Sequence, residues 1–464
     1  MPGFGGILSI ARSALTTSQA AVQVSSHNIA NASTPGYSRQ REVLVSREPE
    51  RDALGIFGTG VMLSTVQRQR DSLLDQEYRR NSAQSGTFAT RSELLQRVEG
   101  VFAEPSDIGL ASTLDQFYNA WSDLAANPSN SSAKTVVQQR GSALASTFNS
   151  VSTQLGDLKA ESIDRARAFV DDINRIAGQI AALNGQIQPA ESGGDTASDL
   201  RDQRDLLLDQ LGKIADVRVI DRIGGSNQVL LGSASLVDGS VAKQVVMNIS
   251  SAARIGLSPL VTMSIKIVGS SDNLSHIGGE VGALQEVHNT DLTQVQDQLD
   301  ALAASIIDDV NTLHITGWAG TAGNFFDATA GNTTAGRIQL TAAIAADAQK
   351  IAAGTLAATE PGDNSLALAM AALRDKATSA INGTFGADYR SIIGSIAGQL
   401  NSAQSSATVF GTMVDQADQR RNAVFGVSVD EELIQVMRQQ QAYAAASKII
   451  KTVDEMMQTL LSLK

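Results

Sequence analysis

The chain has 464 residues, 42% of them hydrophobic but only 4% aromatic, and a formal net charge of −12. That length exceeds one ordinary core and predicts several domains in series, and the apolar share is too high for a disordered chain. The acidic balance argues against a phosphate-binding surface, so no nucleic-acid partner is expected, and the absence of cysteine removes disulfides, thiolate metal sites and cysteine nucleophiles together.

The start, Met1 to Gly6, carries no basic leader and no small-residue cleavage site. From Ile7 to Thr34 there is neither Gly nor Pro, and Phe4, Ile7, Leu8, Ala11, Ala14, Leu15, Val22 and Ile29 recur at helical spacing. Thr34-Pro35-Gly36-Tyr37 ends that helix. Pro35 pushes Thr34 out of the α region, and Pro-Gly suits the centre of a type II turn. Arg39–Arg41 is a short basic cluster that reads as a solvated loop. Val43–Val45 and Val61–Val66 are β-rich and separated by a loop at 55–60, so 1–70 reads as a helix, a turn and an extended arm.

A long helical region is expected from Asp71 to Gly185, with breaks at Gly100, at Glu104-Pro105-Ser106 and at Asn127-Pro128-Ser129. Asp199 to Ile214 is a further helix, in which Asp199, Asp202 and Asp205 alternate with Arg201 and Arg204. These spacings predict a helical bundle over 71–215, joined by 280–316 and 387–426. Residues 216–279 hold β-like runs between Gly and Ser turns and read as a small outer subdomain, while the Gly/Ala/Thr-rich stretch 317–386 reads as mixed or irregular. Val427 to Lys464 contains no Gly or Pro and predicts a helix about 57 Å long. The fold class expected is therefore mainly α with a smaller β part, the two terminal helices forming a coiled coil.

The last helix carries Leu433, Val436, Met437, Tyr443, Ile449, Ile450, Val453, Met456, Met457, Leu460 and Leu461 at three- and four-residue steps, weakened only at Gln439-Gln440-Gln441. An isolated helix is marginal in water, so this stripe and the N-terminal one (Ile7, Leu8, Leu15, Val22) need cover. Each other is one partner; the ends of neighbouring subunits are another, and head-to-tail contacts that do not close build tubes. Periodicity alone fits an ordinary bundle equally well.

Catalytic readings find little support. His27, His276, His288 and His314 form no His-x-x-x-His pair, so no metal site is expected. The aspartates of 199–205 each have an arginine within a turn and read as a solvated ion-pair face rather than an acid/base device. Gly3-Phe4-Gly5-Gly6 lacks a preceding strand and a downstream Lys-Ser/Thr, there is no Gly-x-Ser-x-Gly elbow, and no cofactor is expected. No run approaches the roughly 18 uninterrupted apolar residues of a membrane span, so no membrane insertion is expected.

The string Ser26-His27-Asn28-Ile29-Ala30-Asn31-Ala32-Ser33-Thr34-Pro35-Gly36-Tyr37 resembles the N-terminal signature of the flagellar rod, hook and hook-associated axial proteins. Gln439-Gln440-Gln441-Ala442-Tyr443 through Met456-Met457-Gln458-Thr459-Leu460-Leu461 is similar to their C-terminal end. The middle resembles the hook–filament junction family of that group, hook-associated protein 1, at Phe117 to Pro128, Asp199 to Asp205, Gly278 to Leu284 and Gly362 to Leu368. The resemblance implies a non-enzymatic structural subunit, exported unfolded by the flagellar type III apparatus and sited outside the cell at the hook–filament junction. It implies contact with hook protein, with hook-associated protein 3 and with further copies of itself, and a chaperone on the C-terminal helix before export. Asn28, Ile29, Ala30, Asn31, Thr34, Pro35, Gly36 and Tyr37 would be its assembly signature. A hook or distal-rod protein, an enzyme on an axial scaffold and a cytoplasmic coiled-coil signalling protein are the alternatives.

Overall fold

The computed structural model describes residues 4–52, 55–102, 109–222, 224–270, 273–274, 277–356, 362–377 and 383–462; the break expected at 104–106, His276 and the last two residues lie outside these. The chain opens with helix α1 (Phe4–Asn31), then an antiparallel arm of β1 (Gln40–Ser46) and β4 (Val61–Arg68) with a small hairpin, β2 (Glu50–Asp52) and β3 (Gly55–Phe57), at its tip. Helices α2 (Ser72–Phe102), α3 (Leu110–Ala126), α4 (Ser131–Ala190) and α5 (Ser198–Ile214) follow. At 60 residues, α4 is about 90 Å long. It starts where Asn130 Oδ1 accepts the Ser132 and Ala133 N–H groups, just after Pro128.

Strands β5 (Val217–Asp221), β6 (Asn227–Leu231), β7 (Ala234–Asp238) and β8 (Val241–Ala242) form one antiparallel sheet in chain order, and β9 (Val245–Arg254) with β10 (Leu257–Ile267) form a long separate hairpin. Next come α6 (Gly279–Glu286), a five-residue π turn at Val287–Asp291, and α7 (Leu292–His314). Among the described residues of 317–377 the regular pieces are short: the turn α8 (Gly317–Gly320), α9 (Ala342–Ala346), a 3-10 turn at Ala348–Lys350 and α10 (Ser365–Ala372). Two long helices end the chain, α11 (Phe385–Phe425) and α12 (Val429–Ser462). The protein is mainly α with a smaller β part, as the sequence predicts.

Helix α2 runs straight through Gly100, so no break occurs there. A lone glycine costs a helix only about 1 kcal/mol relative to alanine, which packing along α11 readily offsets. One continuous apolar core joins α3, α4, α7, the sheet and the 325–373 segment, with Phe117, Trp121, Phe325, Phe326 and His314 forming its aromatic centre. The β strands of 216–279 share this core rather than owning a separate one, since Val229, Leu231, Leu236 and Val245 are all buried in it.

Helices grip extended segments by one repeated device. Asn174 Oδ1 accepts the Val245 N–H at 2.7 Å while its Nδ2–H donates to the Val245 carbonyl at 2.9 Å. The same two-bond clamp joins Asn184 to Asn227, Asn289 to Met263, Asn311 to Phe326 and, in the terminal arm, Asn28 to Gln40. A side-chain amide offers one donor and one acceptor in the arrangement a neighbouring strand would offer, so an otherwise unpaired residue keeps both backbone bonds. Asn311 also accepts from Phe325 N–H at 2.9 Å, fixing the irregular 317–341 segment to α7. Replacing Asn311 by Asp removes the donor and sets a carboxylate against the Phe326 carbonyl. The expected cost is at least about 2 kcal/mol in urea unfolding. Asn401→Asp, on an exposed face of α11, should leave the midpoint where it is.

Candidate assembly site at the paired chain ends

Helices α1 and α12 pack side by side and antiparallel, the C-terminal end of α1 meeting the N-terminal end of α12 through an Asn28–Glu432 hydrogen bond. The residues buried on α1 are, Val24 apart, small or polar, among them Ala11, Ser18, Ala21 and Ser25; on α12 they are Glu432, Ala446 and Val453. This differs from the seam expected of the apolar stripe. Of those side chains only Val453 is buried; Leu8, Leu15, Val22, Val436 and Ile450 are half-buried. Ile7, Leu433, Met437, Tyr443, Ile449, Met456, Met457, Leu460 and Leu461 are exposed. The physical reason is the width of the stripe: Ala446 and Val453 sit seven residues apart, and the pairs Ile449/Ile450 and Met456/Met457 straddle them, so a single partner helix cannot cover both flanks.

The signature residues build the corner beneath this pair. Tyr37 N–H donates to the Thr34 carbonyl at 3.2 Å and Gly36 has φ +79°, the type II turn that Pro35-Gly36 predicts. A Cβ on Gly36 would lie 3.1 Å from Leu206 Cβ, so glycine answers both the backbone and the close approach to α5. Asn31 closes the turn, accepting from Thr34 Oγ1–H at 3.2 Å and donating to the His27 carbonyl at 3.1 Å. Tyr37 O–H donates to Asn28 Oδ1 at 2.8 Å and lies 3.0 Å from His27 Nδ1. Burial, and after it Asp199, Asp202 and Glu432, push the Tyr37 phenol well above its usual range, so it stays a donor. Asn28, almost fully buried, thus ties α1, β1 and α12 together. Ile29 is half-buried and Ala30 exposed; neither enters this network.

Below the corner lies a buried ionic joint. Ser38 N–H and Oγ–H both donate to Asp202, at 2.8 and 2.7 Å. Arg68 bridges Asp202 and Asp205 at 2.9 and 2.5 Å; Arg70 pairs with both oxygens of Asp75; Arg79 and Arg421 share Asp209, each at 2.7 Å. Arg421 also reaches Asp75 at 3.2 Å and stacks 4.2 Å over the Tyr78 ring. Four arginines from the arm, its linker, α2 and α11 therefore face four aspartates of α2 and α5. This corrects the reading of 199–205 as a solvated face, because Asp202 and Asp205 are each only 5% exposed. Asp199 alone remains outside, accepting from Gln40 Nε2–H at 2.8 Å. Arg39 likewise is no free loop cation, pairing with Glu432 at 2.7 Å and Glu431 at 2.9 Å. The three-residue steps of Asp199, Asp202 and Asp205 were legible as one helical face; that two of the three meet arginines rather than water, with Asp209 beside them, was not.

Burial works against the charge of Asp205, but Arg70, Arg68, Arg79 and Arg204 outweigh it and hold its pKa down at about 2. Burial wins at Asp202 and raises that carboxyl despite Ser38 and Arg68. Because Asp205 is depressed, its contribution to stability is present above the unfolded carboxylate value of about 3.9 and is lost as pH falls through about 2. Asp205→Asn leaves arginines buried without their counter-charge and should cost about 3–5 kcal/mol in denaturant unfolding at pH 7. It should also flatten the acid limb between those two pKa values. Arg167→Ala, which removes an exposed i,i+3 pair with Asp164, should change neither.

Three family models match the chain. That of the flagellar hook-associated protein FlgK helical domain covers residues 95–326, that of the flagella basal body rod protein covers 8–37, and that of the flagellar basal body rod FlgEFG protein C-terminal region covers 423–463. The chain is 30% identical to the flagellar hook-associated protein 1 of Bacillus subtilis, over 98% of this chain and 97% of that one. It is 26% identical to that of Salmonella typhimurium, over 99% and 100%. Among solved structures it is similar in fold to the flagellar hook junction protein FlgK of Burkholderia pseudomallei, with a TM-score of 0.64 and 16% identity over 75% of this chain and all of that one. The corner at Asn28–Tyr37 and the paired terminal helices are thus the two ends of an axial protein, and the chain belongs to the flagellar hook-associated protein 1 family, the structural junction proteins of the flagellum.

Proposed function

We propose that this protein polymerises through α1 and α12 and works outside the cell, at the boundary between hook and filament, with no catalytic activity of its own. The observation that carries this reading is the apolar surface left on a completed helix pair. Leu433, Ile434 and Met437 are 47%, 48% and 54% exposed, and Leu460 and Leu461 are more exposed still. Contiguous apolar residues in water mark a surface that another chain covers. Membership of an axial family makes other axial subunits the natural cover. In this reading hook protein lies on one side, hook-associated protein 3 on the other, and copies of the chain lie between.

Export as an unfolded chain by the flagellar type III apparatus fits the same features. There is no cysteine to oxidise on the way. An exposed apolar helix such as α12 also suits a cytoplasmic chaperone that covers it until export. Among the described residues no helix is long and apolar enough to cross a membrane. Segments 1–70 and 427–464 would be the assembling module, 71–215 with 280–316 and 387–426 the stiff body, and 216–279 and 317–386 the outer part. The signature residues Asn28 to Tyr37 would hold the corner where the first helix turns into the arm.

Leu433→Ser with Met437→Ser changes only exposed side chains, so unfolding of the purified monomer should be unaltered within about 0.5 kcal/mol. In cells lacking the native copy, the variant should fail to support filament attachment, scored by motility and by microscopy of hooks. Filaments at native number on those hooks would contradict assembly through this face.

A further inference from the structure

The arm beside α1 leaves a second groove that the helix pair does not use. Gly60, with φ +106°, presses against α1 at Ser13 and Ile10, and Ser13 Oγ accepts the Val61 N–H at 3.3 Å. Beside that contact a groove of about 700 Å³ runs between Leu8, Arg12 and Ala20 of α1 and Arg47, Val61 and Met62 of the arm. Arg12, Thr16 and Ala20 follow one another at four-residue steps, on the side of α1 opposite Ala11, Ser18 and Ser25. The groove therefore opens away from α12 of the same chain. Both arginines are exposed, and neither pairs with a carboxylate among the described residues.

We infer that this groove receives α12 from a second copy. The proposal rests on the self-assembly reading above and names its contact. The matching surface is the flank of Tyr443, Ile450, Met457 and Leu461, which lies on one side of the buried Ala446–Val453 line at steps of seven, seven and four. Met457 and Leu461 fit the apolar walls offered by Leu8, Val61 and Met62. Asp454 lies between Ile450 and Met457 on the same flank, followed by Glu455; both are exposed and in no ion pair among the described residues, and they bring negative charge to Arg12 and Arg47. Residues 4–52 and 55–68 carry Arg12, Arg39, Arg41, Arg47, Arg51 and Arg68 against Glu42, Glu48, Glu50 and Asp52, whereas acids outnumber bases on α12. Groove and flank sit on different surfaces of one chain, so the contact is head-to-tail and repeats from copy to copy.

Because the chain has no cysteine, the contact can be trapped directly. Full-length Met62→Cys and Met457→Cys proteins, mixed at assembling concentration with a short bismaleimide, should give a covalent dimer that neither gives alone. Arg12→Glu with Arg47→Glu in the first partner should cut its yield about fivefold, and Asp454→Lys with Glu455→Lys in the second should restore it. Oligomers in light scattering without the mixed dimer would overturn this groove while leaving self-assembly intact. Absence of both would overturn self-assembly as well, and dimers of equal yield from either protein alone would make the contact symmetric and overturn the head-to-tail arrangement.

Discussion

The junction between the terminal module and the body is made of charge. No described residue of 4–70 or 427–462 belongs to the buried apolar clusters. What crosses instead is Arg68, Arg70 and Ser38 of the module on Asp75, Asp202 and Asp205 of the body, in a network that Arg79, Arg421 and Asp209 complete within the body. Hydrophobic burial is non-directional and would tolerate sliding; bidentate and shared ion pairs out of water tolerate little, because any partner withdrawn leaves a buried charge unmatched. Arg70 shows the balance: burial disfavours its charge, yet Asp205 and the Asp75 hydrogen bond leave it more firmly protonated than a free arginine. The joint thus fixes an angle between the helix pair and the body.

The same economy recurs inside the body. Long helices provide stiffness, but strands and irregular segments must be attached to them without a full sheet. Asparagine does this at Asn28, Asn174, Asn184, Asn289 and Asn311, each supplying both hydrogen bonds that one extended residue lacks. His314 serves similarly: Nδ1–H donates to the Gly323 carbonyl at 2.7 Å and Nε2 accepts from Ala352 N–H at 3.3 Å, a use of both nitrogens that requires the neutral ring. Burial, the largest influence, lowers its pKa accordingly.

Much of this was legible in the sequence, and the limits have physical causes. The helix from Ile7, the stop at Thr34-Pro35 and the type II turn follow from local stereochemistry, and the structure has them in α1 and Gly36. Two amphipathic ends were visible because periodicity records which side chains share a face. It does not record how much of that face one neighbour covers, so the exposed Leu433 and Met437 were indistinguishable from the buried Val453. The acidic face of α5 was visible too, but its partners stand more than a hundred residues away at Arg68, Arg70, Arg79 and Arg421, and no local pattern announces them. The asparagine clamps were missed for the same reason, since a lone Asn in a helix resembles a solvent-facing one.

The claim on which the rest depends is that the ionic joint, rather than the connecting backbone, sets the direction of the helix pair. Spin labels at Gln19→Cys on α1 and Gln154→Cys on α4, both exposed positions in a chain without native cysteine, report that direction as a distance. A single narrow distance distribution is expected in the otherwise native protein, and a broad one when Asp205→Asn is added with the helical content unchanged. An equally narrow distribution in the Asp205→Asn protein would contradict the joint.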